Sequence, residues 1–248
     1  MSAQLRSELL KQRSIPTSLG LLAAMLGLVV FAVLLHGFGL PAESIAGSTD
    51  QLMVLGRGEF LGALFAALLG AISITGEIRH GTIRPTFLVS PKRGRVLAAK
   101  VWASALIGTG FGLAGSLIAA AVGTAALRAR GIDVQLDGAD YALLIAGGGA
   151  AAALWAAIGV GLGAIVRNQV PTLVGICAWL LFVEGLLVGD VANIAEVGRF
   201  APGALGEALS GQDPGTLLAP GLGGLVLAIY AAAFAVAGWV ATTRRDVA

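Results

Sequence analysis

The chain alternates between long apolar runs and shorter polar segments. The apolar runs are continuous and rich in Ala, Leu and Gly, without the alternation of apolar and polar residues that is typical of a membrane-barrel strand. A helix of about 20 such residues crosses about 30 Å of hydrocarbon. The pattern predicts six membrane-spanning helices: Leu19–His36, Phe60–Thr75 with a start near Gly58, Val101–Ala126, Tyr141–Val166, Pro171–Val188 and Leu222–Val240.

The composition agrees with this pattern. Hydrophobic residues make up 57% of the chain, charged residues 12%, and the mean hydropathy is +0.89. The apolar runs are too long and too many for the buried core of a soluble domain. We therefore expect an all-helical integral membrane protein in which residues 1–248 form a single transmembrane domain.

Three segments outside the spans have predicted features of their own. Residues 1–16 mix basic residues with a small apolar face, which is typical of an interfacial helix. A secretory signal is the competing interpretation, but no clear cleavage pattern follows the long first span. Residues 37–58 are predicted to form a polar loop. The acidic segment 190–220 is expected to hold two short helices, over Ile194–Phe200 and Ala204–Leu209.

The highest density of charge lies in the segment 76–100, between the second and third spans. One acid, Glu77, stands there against six basic residues: Arg79, Arg84, Lys92, Arg93, Arg95 and Lys100. Twelve of the sixteen Lys and Arg residues fall on the same predicted side of the membrane as this segment. Because Lys and Arg in short loops stay in the cytoplasm, we expect both termini and segment 76–100 to be cytoplasmic, and segment 190–220 to be external.

Segment 76–100 also has an internal pattern. Gly81 is predicted to end the preceding helix, Thr82 to cap a new short helix, and Pro91 to stop it. The apolar residues Ile83, Phe87 and Leu88 share one side of this short helix. Charge alone does not separate this interpretation from a solvated loop that only fixes topology. The three large apolar side chains favour a surface that binds a partner.

Several kinds of chemistry are missing from the sequence. It contains no P-loop motif and no zinc-protease motif. His36 and His80 are predicted at opposite membrane faces, so they cannot share a metal ion. Cys177 lies in the fifth span and has no partner for an intrachain disulfide. We therefore expect no catalytic site, no metal site and no nucleotide site in this chain.

Glu184 is the one acid predicted inside a span. An ionisable residue at that depth is costly unless it is paired or hydrated, which makes Glu184 a candidate residue of a substrate or proton pathway. Local water or bilayer thinning near Asp190 is the alternative explanation. Glycines four residues apart, Gly108 with Gly112 and Gly159 with Gly163, predict close helix packing, either within the chain or between subunits.

Segment 76–100 resembles a motif of the permease subunits of ABC-2 type transporters. After the second span it follows the pattern E-x-x-x-G-T-[IL]-x-x-x-[LF]-x-x-x-P-x-x-R at Glu77, Gly81, Thr82, Ile83, Phe87 and Pro91. The arginine that follows the proline in the family falls within the run 92–95, so which basic residue takes its place stays open. Lys100 at the foot of the third span, the six spans and the stretch Phe200–Gly211 are also similar to the family.

The resemblance implies a subunit that works with two copies of a separate cytoplasmic ABC ATPase, which bind ATP and Mg, and with a second, identical or related, permease. The short helix after Gly81 would be the coupling helix. Its interface with the ATPase would comprise Glu77, Gly81, Thr82, Ile83, Arg84, Phe87, Leu88, Pro91, Arg93 and Arg95. The complex would export a hydrophobic or amphipathic substrate, such as a drug-like, lipid-like or peptide molecule, across the plasma membrane. Membrane lipids surround it, and no nucleic acid is involved.

A self-sufficient secondary transporter or channel is the alternative from another class. It would be expected to carry charges inside the membrane, half-helices or repeat symmetry. An intramembrane enzyme would need paired acids, a Ser–His pair or metal ligands within the spans. Glu184 is the only such feature in the predicted spans, so the sequence favours the ABC permease.

Overall fold

The computed structural model of the chain describes residues 2–14, 16–82, 93–188 and 195–244. These residues form helices and connecting turns, without a strand among them. Six helices are long and apolar enough to cross a membrane, which confirms the predicted all-helical class and the number of spans. These candidate spans are Pro16–Gly39, Ser48–Arg79, Gly94–Ala129, Gly138–Val166, Gln169–Leu186 and Pro220–Arg244.

The helices follow one another with short connections. In chain order they are α1 Ser2–Ser14, α2 Pro16–Gly39, α3 Ser48–Leu55, α4 Arg57–Arg79, α5 Arg93–Ala129, α6 Gly138–Val166, α7 Gln169–Ala178, α8 Glu184–Val188, α9 Ala195–Gly198, α10 Pro202–Leu209 and α11 Pro220–Arg244. A 3₁₀ turn covers Ala42–Ile45, and a π-helical turn, Trp179–Val183, joins α7 to α8. Most spans extend beyond their predicted bounds because polar residues at both ends continue the helix.

Helices α4 and α6 form the centre of the bundle. They pack along each other, α5 packs against both, and α11 packs against α6. The approach is close because glycines face neighbouring backbone: a Cβ at Gly159 would overlap the Ala67 carbonyl, and one at Gly112 would overlap the Gly148 carbonyl. The predicted glycine pairs of α5 and α6 therefore serve packing within the chain.

The segment predicted as a polar loop between the first two spans contains a helix instead. In α3, Gln51, Leu52 and Leu55 are buried. The Gln51 side chain donates to the Asp133 carbonyl oxygen at 2.9 Å and accepts from the Gln135 amide at 2.9 Å. This helix depends on contacts with the α5–α6 connection, which a local pattern of eight residues does not reveal.

Helix α10 enters the bundle rather than lying across its end. Leu205 and Ser210 are fully buried, and the Leu209–Ser210 backbone packs against Gly147 of α6. Gly147 lies nine residues after the start of α6, about 14 Å along the helix axis. Short helices are thus present in both predicted stretches between the last two spans, and the second of them packs into the bundle.

Candidate functional site

Four charged side chains meet where α1, the end of α4 and the start of α5 come together. The Lys100 Nζ atom lies 2.8 Å from both Glu8 Oε2 and Glu77 Oε1. The Lys11 Nζ atom lies 3.0 Å from Glu8 Oε1 and 3.1 Å from Glu77 Oε1. We call these four residues the basal ion cluster and this end of the bundle the basal end. Each ammonium group faces two carboxylates, so the four charges neutralise one another.

Hydrogen bonds extend the basal ion cluster into the bundle. Lys100 Nζ donates to the Ser73 carbonyl oxygen at 3.1 Å. Gln12 Nε2 donates to Ser104 Oγ at 2.9 Å, and Ser104 Oγ donates to Ser73 Oγ at 3.4 Å. Helix α1 therefore presents a polar face, with Glu8 and Gln12 buried, to the rest of the protein. Its Leu10 side chain points outward and is 57% exposed.

The two lysines of the cluster differ in their surroundings. The Lys100 side chain is 2% exposed, whereas that of Lys11 is 41% exposed. Partial burial lowers the pKa of Lys11, but its hydrogen bonds to Glu8 and Glu77 and the negative charges of these two carboxylates together raise it by more, so the pKa lies above its usual value. Lys100 has no such access to water, and its Nζ atom is surrounded by the two carboxylates and the Ser73 carbonyl oxygen.

The structure describes part of the predicted coupling site. Glu77 belongs to the basal ion cluster, Gly81 has a left-handed φ of 69° after the end of α4, and Thr82 Oγ1 donates to the Glu77 carbonyl oxygen at 3.4 Å. Arg95 is exposed in the first turn of α5. Arg93 begins that helix. The remaining predicted residues, Ile83, Arg84, Phe87, Leu88 and Pro91, lie outside the described residues, as does the proposed short helix.

Glu184, the acid predicted inside a span, holds the buried start of α10. Its Oε1 atom accepts from the backbone amides of Gly203 and Ala204, the latter at 2.8 Å. Glu184 as a whole residue is 6% exposed. Residues 203 and 204 are the second and third of α10, where backbone N–H groups have no partner within the helix. A carboxylate at this point accepts hydrogen bonds from these N–H groups, and the positive end of the helix dipole stabilises its negative charge.

A second acid lies inside a span, and the sequence interpretation missed it. Glu59 of α4 is 2% exposed, and its Oε2 atom accepts from Gln212 Nε2 at 3.3 Å. The same Gln212 nitrogen donates to Ser210 Oγ at 2.7 Å. Glu59 directly follows Gly58, where the second span was predicted to begin, and this position already indicated that Glu59 lies within the span. The hydrophobic pattern of the sequence did not predict that α10 packs over Glu59.

A third acid lies beside this polar pair. Burial raises the pKa of Glu207 on α10, while the charge of Arg57 lowers it and that of Asp213 raises it further, and the net pKa is above its usual value. We call Glu59, Glu184 and Glu207 the distal acids and their end of the bundle the distal end. Glu184 is therefore not the only acid in a candidate span, because Glu59 lies in the span Ser48–Arg79.

A cavity of about 520 Å³ lies between α6, α7 and α11 and reaches the residues before α10. Its wall is almost wholly apolar, with aromatic rings from Trp155, Trp179, Phe200, Tyr230 and Phe234. We call it the lateral cavity. Its volume falls in the range of about 300–1,000 Å³ that is usual for pockets that bind small molecules.

No protein-family model matches this sequence, and no curated protein matches it significantly. The function is therefore inferred from the residues of the chain and from their contacts.

Proposed function

We propose that this chain is the transmembrane permease subunit of an ABC transporter, which moves its substrate with ATP hydrolysed by separate subunits. The observation that carries the proposal is the basal ion cluster. It joins α1 to the two helices that border residues 83–92, the segment with the permease motif. Glu77 lies six residues before this segment and Lys100 eight residues after it.

The cluster supports a mechanical role for the segment. Separating a buried charge from its partners costs about 3–5 kcal/mol. At the basal end, α1, α4 and α5 should therefore move together as a rigid body. A push applied between α4 and α5 would then tilt both spans together rather than bend one of them. The sequence has no P-loop, so in this proposal two cytoplasmic ABC ATPase subunits bind ATP and Mg and supply that push.

The coupling surface in this proposal consists of Ile83, Phe87 and Leu88, surrounded by basic residues that meet acids of the ATPase. Exposed Arg79 and Arg95, on the described helices at either side, support the basic character of this surface. The lateral cavity supports a hydrophobic or amphipathic substrate. A second permease, identical or related, would complete the pathway, with export across the plasma membrane as the direction.

The test is Phe87→Asp in the full-length chain, purified in mild detergent from its native membranes, with Phe87→Leu as the matched control. We expect a P-loop ATPase to co-purify with the wild-type protein and with Phe87→Leu, and to be lost with Phe87→Asp. A charge at the centre of an apolar contact should abolish binding, whereas Leu keeps the apolar contact. An ATPase that stays bound to Phe87→Asp, or a wild-type protein that purifies without one, would refute the proposal.

Glu59 supports a second candidate, a secondary transporter that works without an ATPase. Buried ionisable residues within spans mark proton and ion pathways in such proteins. This candidate predicts substrate uptake by the chain alone, reconstituted in liposomes with a proton gradient and without ATP, and loss of that uptake with Glu59→Gln. Failure of the chain alone to transport would eliminate it.

A further inference from the structure

The lateral cavity is elongated and opens sideways. Its lining on α6 runs from Trp155 to Val166, eleven residues apart, which is about 16 Å along the helix axis. On α7 and the π-helical turn that follows it, the lining includes Pro171, Gly175 and Trp179, which are all exposed on the outer surface of the bundle. Because this surface belongs to a candidate span, a ligand can enter from the bilayer.

The cavity wall is almost wholly apolar, and its Trp155 indole N–H is buried without a hydrogen-bond partner among the described residues. Among the lining residues, Thr172 already donates from Oγ1 to the Asn168 carbonyl oxygen at 2.6 Å. Transfer from lipid to an apolar cavity gains no hydrophobic energy, because lipid tails are as apolar as the cavity wall. The gain comes from dispersion contacts that an empty cavity lacks, and these favour an alkyl chain that fits along the aromatic rings.

One end of the cavity is basic. Val166 and Pro171 line this end, and Arg167 follows Val166 directly, with a left-handed φ of 58°. Arg79 reaches the same end, since its Nη1 atom donates to Gln169 Oε1 at 3.2 Å. Within the described part of the chain, no carboxylate lies within salt-bridge distance of either arginine.

At the opposite end of the cavity, near Phe200, the nearest arginine already contacts a side chain of the cavity wall. Arg199 lies there, next to the lining residue Phe200, and its guanidinium carbon stacks over the Phe200 ring at 5.3 Å from the centroid. Arg199 is thus already engaged with the protein. The two ends together give the ligand a direction, with its charged group at the basal end.

We propose that the lateral cavity binds one alkyl chain of an anionic amphiphile, with the headgroup at Arg167 and Arg79. The carboxylate or phosphate of a fatty acid or anionic lipid supplies the shared chemistry. The site does not depend on the proposed transport function, because binding can be measured on the isolated chain. Its failure would leave the ATPase test unaffected.

The experiment uses fluorescence of the purified full-length protein in detergent. The chain has four tryptophans, of which Trp155 and Trp179 line the cavity and Trp102 and Trp239 lie elsewhere. Trp102→Phe with Trp239→Phe leaves only the two reporters in the cavity. We expect saturable quenching by dibromostearate, and by an anionic phospholipid with brominated chains if the natural source is membrane lipid. Quenching by the free acid alone identifies fatty acids as the source.

Two variants test the chain and the headgroup separately. Gly175 lines the cavity at its exposed side and a Cβ there meets no atom within 4 Å, so Gly175→Leu should block the entrance without a clash and abolish saturable quenching. Gly27→Leu, at an equally open position on α2, is the matched control and should bind normally. Arg167→Asn removes the charge but tolerates the left-handed backbone, and should weaken dibromostearate binding about fivefold without affecting its methyl ester.

Each contrary result overturns a stated part of the proposal. Equal saturable quenching in Gly175→Leu and the wild type would refute the cavity as the site. Equal affinity of the wild type for dibromostearate and for its methyl ester would refute the anionic headgroup. Circular dichroism and the thermal midpoint check the fold of each variant, and Leu162→Phe narrows the cavity from α6 if Gly175→Leu unfolds early.

Discussion

The two ends of the helix bundle bury charged side chains in opposite ways. Glu77 and Glu59 lie on the same helix, 18 residues or about 27 Å apart. At the basal end, Glu77 shares two lysines with Glu8, and the four charges sum to zero. At the distal end, Glu59 is bonded to an amide side chain, and Glu184 to backbone N–H groups.

The difference separates two ways of making a buried carboxylate tolerable. Ion pairs hold the basal end only while all partners are present and charged. Hydrogen-bond donors hold the distal end, where a neutral isostere that keeps an acceptor oxygen preserves most of the contact. Removal of a charge should therefore be severe at the basal end and mild at the distal end.

Lys100→Met should have the largest effect. It leaves Glu8 and Glu77 with only the half-exposed Lys11 between them, and the loss of a buried partner should lower the free energy of unfolding by about 3–5 kcal/mol. Thermal unfolding in detergent measures this. Lys11→Met is the matched control and should cost about 1 kcal/mol or less, because the Lys11 ammonium group is partly exposed to water and both carboxylates keep Lys100. Equal losses in the two variants would contradict the distinction between the lysines.

Glu184→Ala should have an intermediate effect, about 2 kcal/mol, because two backbone N–H groups at the buried start of α10 lose their acceptor. Faster hydrogen exchange at the Gly203 and Ala204 amides would report the loss directly. Glu184→Gln keeps an acceptor oxygen and should stay close to the wild type. If Gln is as damaging as Ala, the negative charge itself is required, and a pathway role for Glu184 gains support.

Glu207→Gln should have the smallest effect and the opposite sign. Because burial raises the pKa of Glu207 above its usual value of 4.5, this group stabilises the fold below that pH, and the stabilisation is lost as the pH rises through the folded pKa. At neutral pH the neutral variant should unfold about 2 °C higher than the wild type. A pH series of thermal midpoints checks this, and the advantage should vanish below pH 4.5. If Glu207→Gln still unfolds at a higher temperature below pH 4.5, the buried charge of Glu207 is not the cause of the difference.

The sequence was sufficient for the elements that depend on long local patterns. The six spans, the stop at Gly81 and the short helix α10 follow from apolar length and from glycine and proline positions. Helix α3 was missed because it has only eight residues. Its stability comes from Gln51, which bonds to residues more than 80 positions away.

The basal ion cluster and Glu184 also show that local sequence patterns do not predict contacts between distant residues. Lys100 and Glu77 were noted in the sequence, yet nothing local indicates that Glu8, on another helix, lies between Lys100 and Lys11. Glu184 was recognised as unusual, but its partners at Gly203 and Ala204 are provided by α10, which packs into the bundle. Tertiary contacts therefore decide the chemistry of residues whose positions in the chain were predictable.

The π-helical turn Trp179–Val183 is an insertion in the geometric sense. Thr172, Ile176, Leu180 and Glu184 are buried at steps of four residues. In a regular α-helix the last would lie about 120° from the first around the axis, and one added residue, about 100°, offsets most of this rotation. Deletion of a single residue here would remove the extra residue of the turn, and the eleven remaining steps of a regular α-helix would keep Glu184 within about 20° of Thr172 around the axis. A homologue with a one-residue gap in this turn would therefore keep the contact between Glu184 and the start of α10.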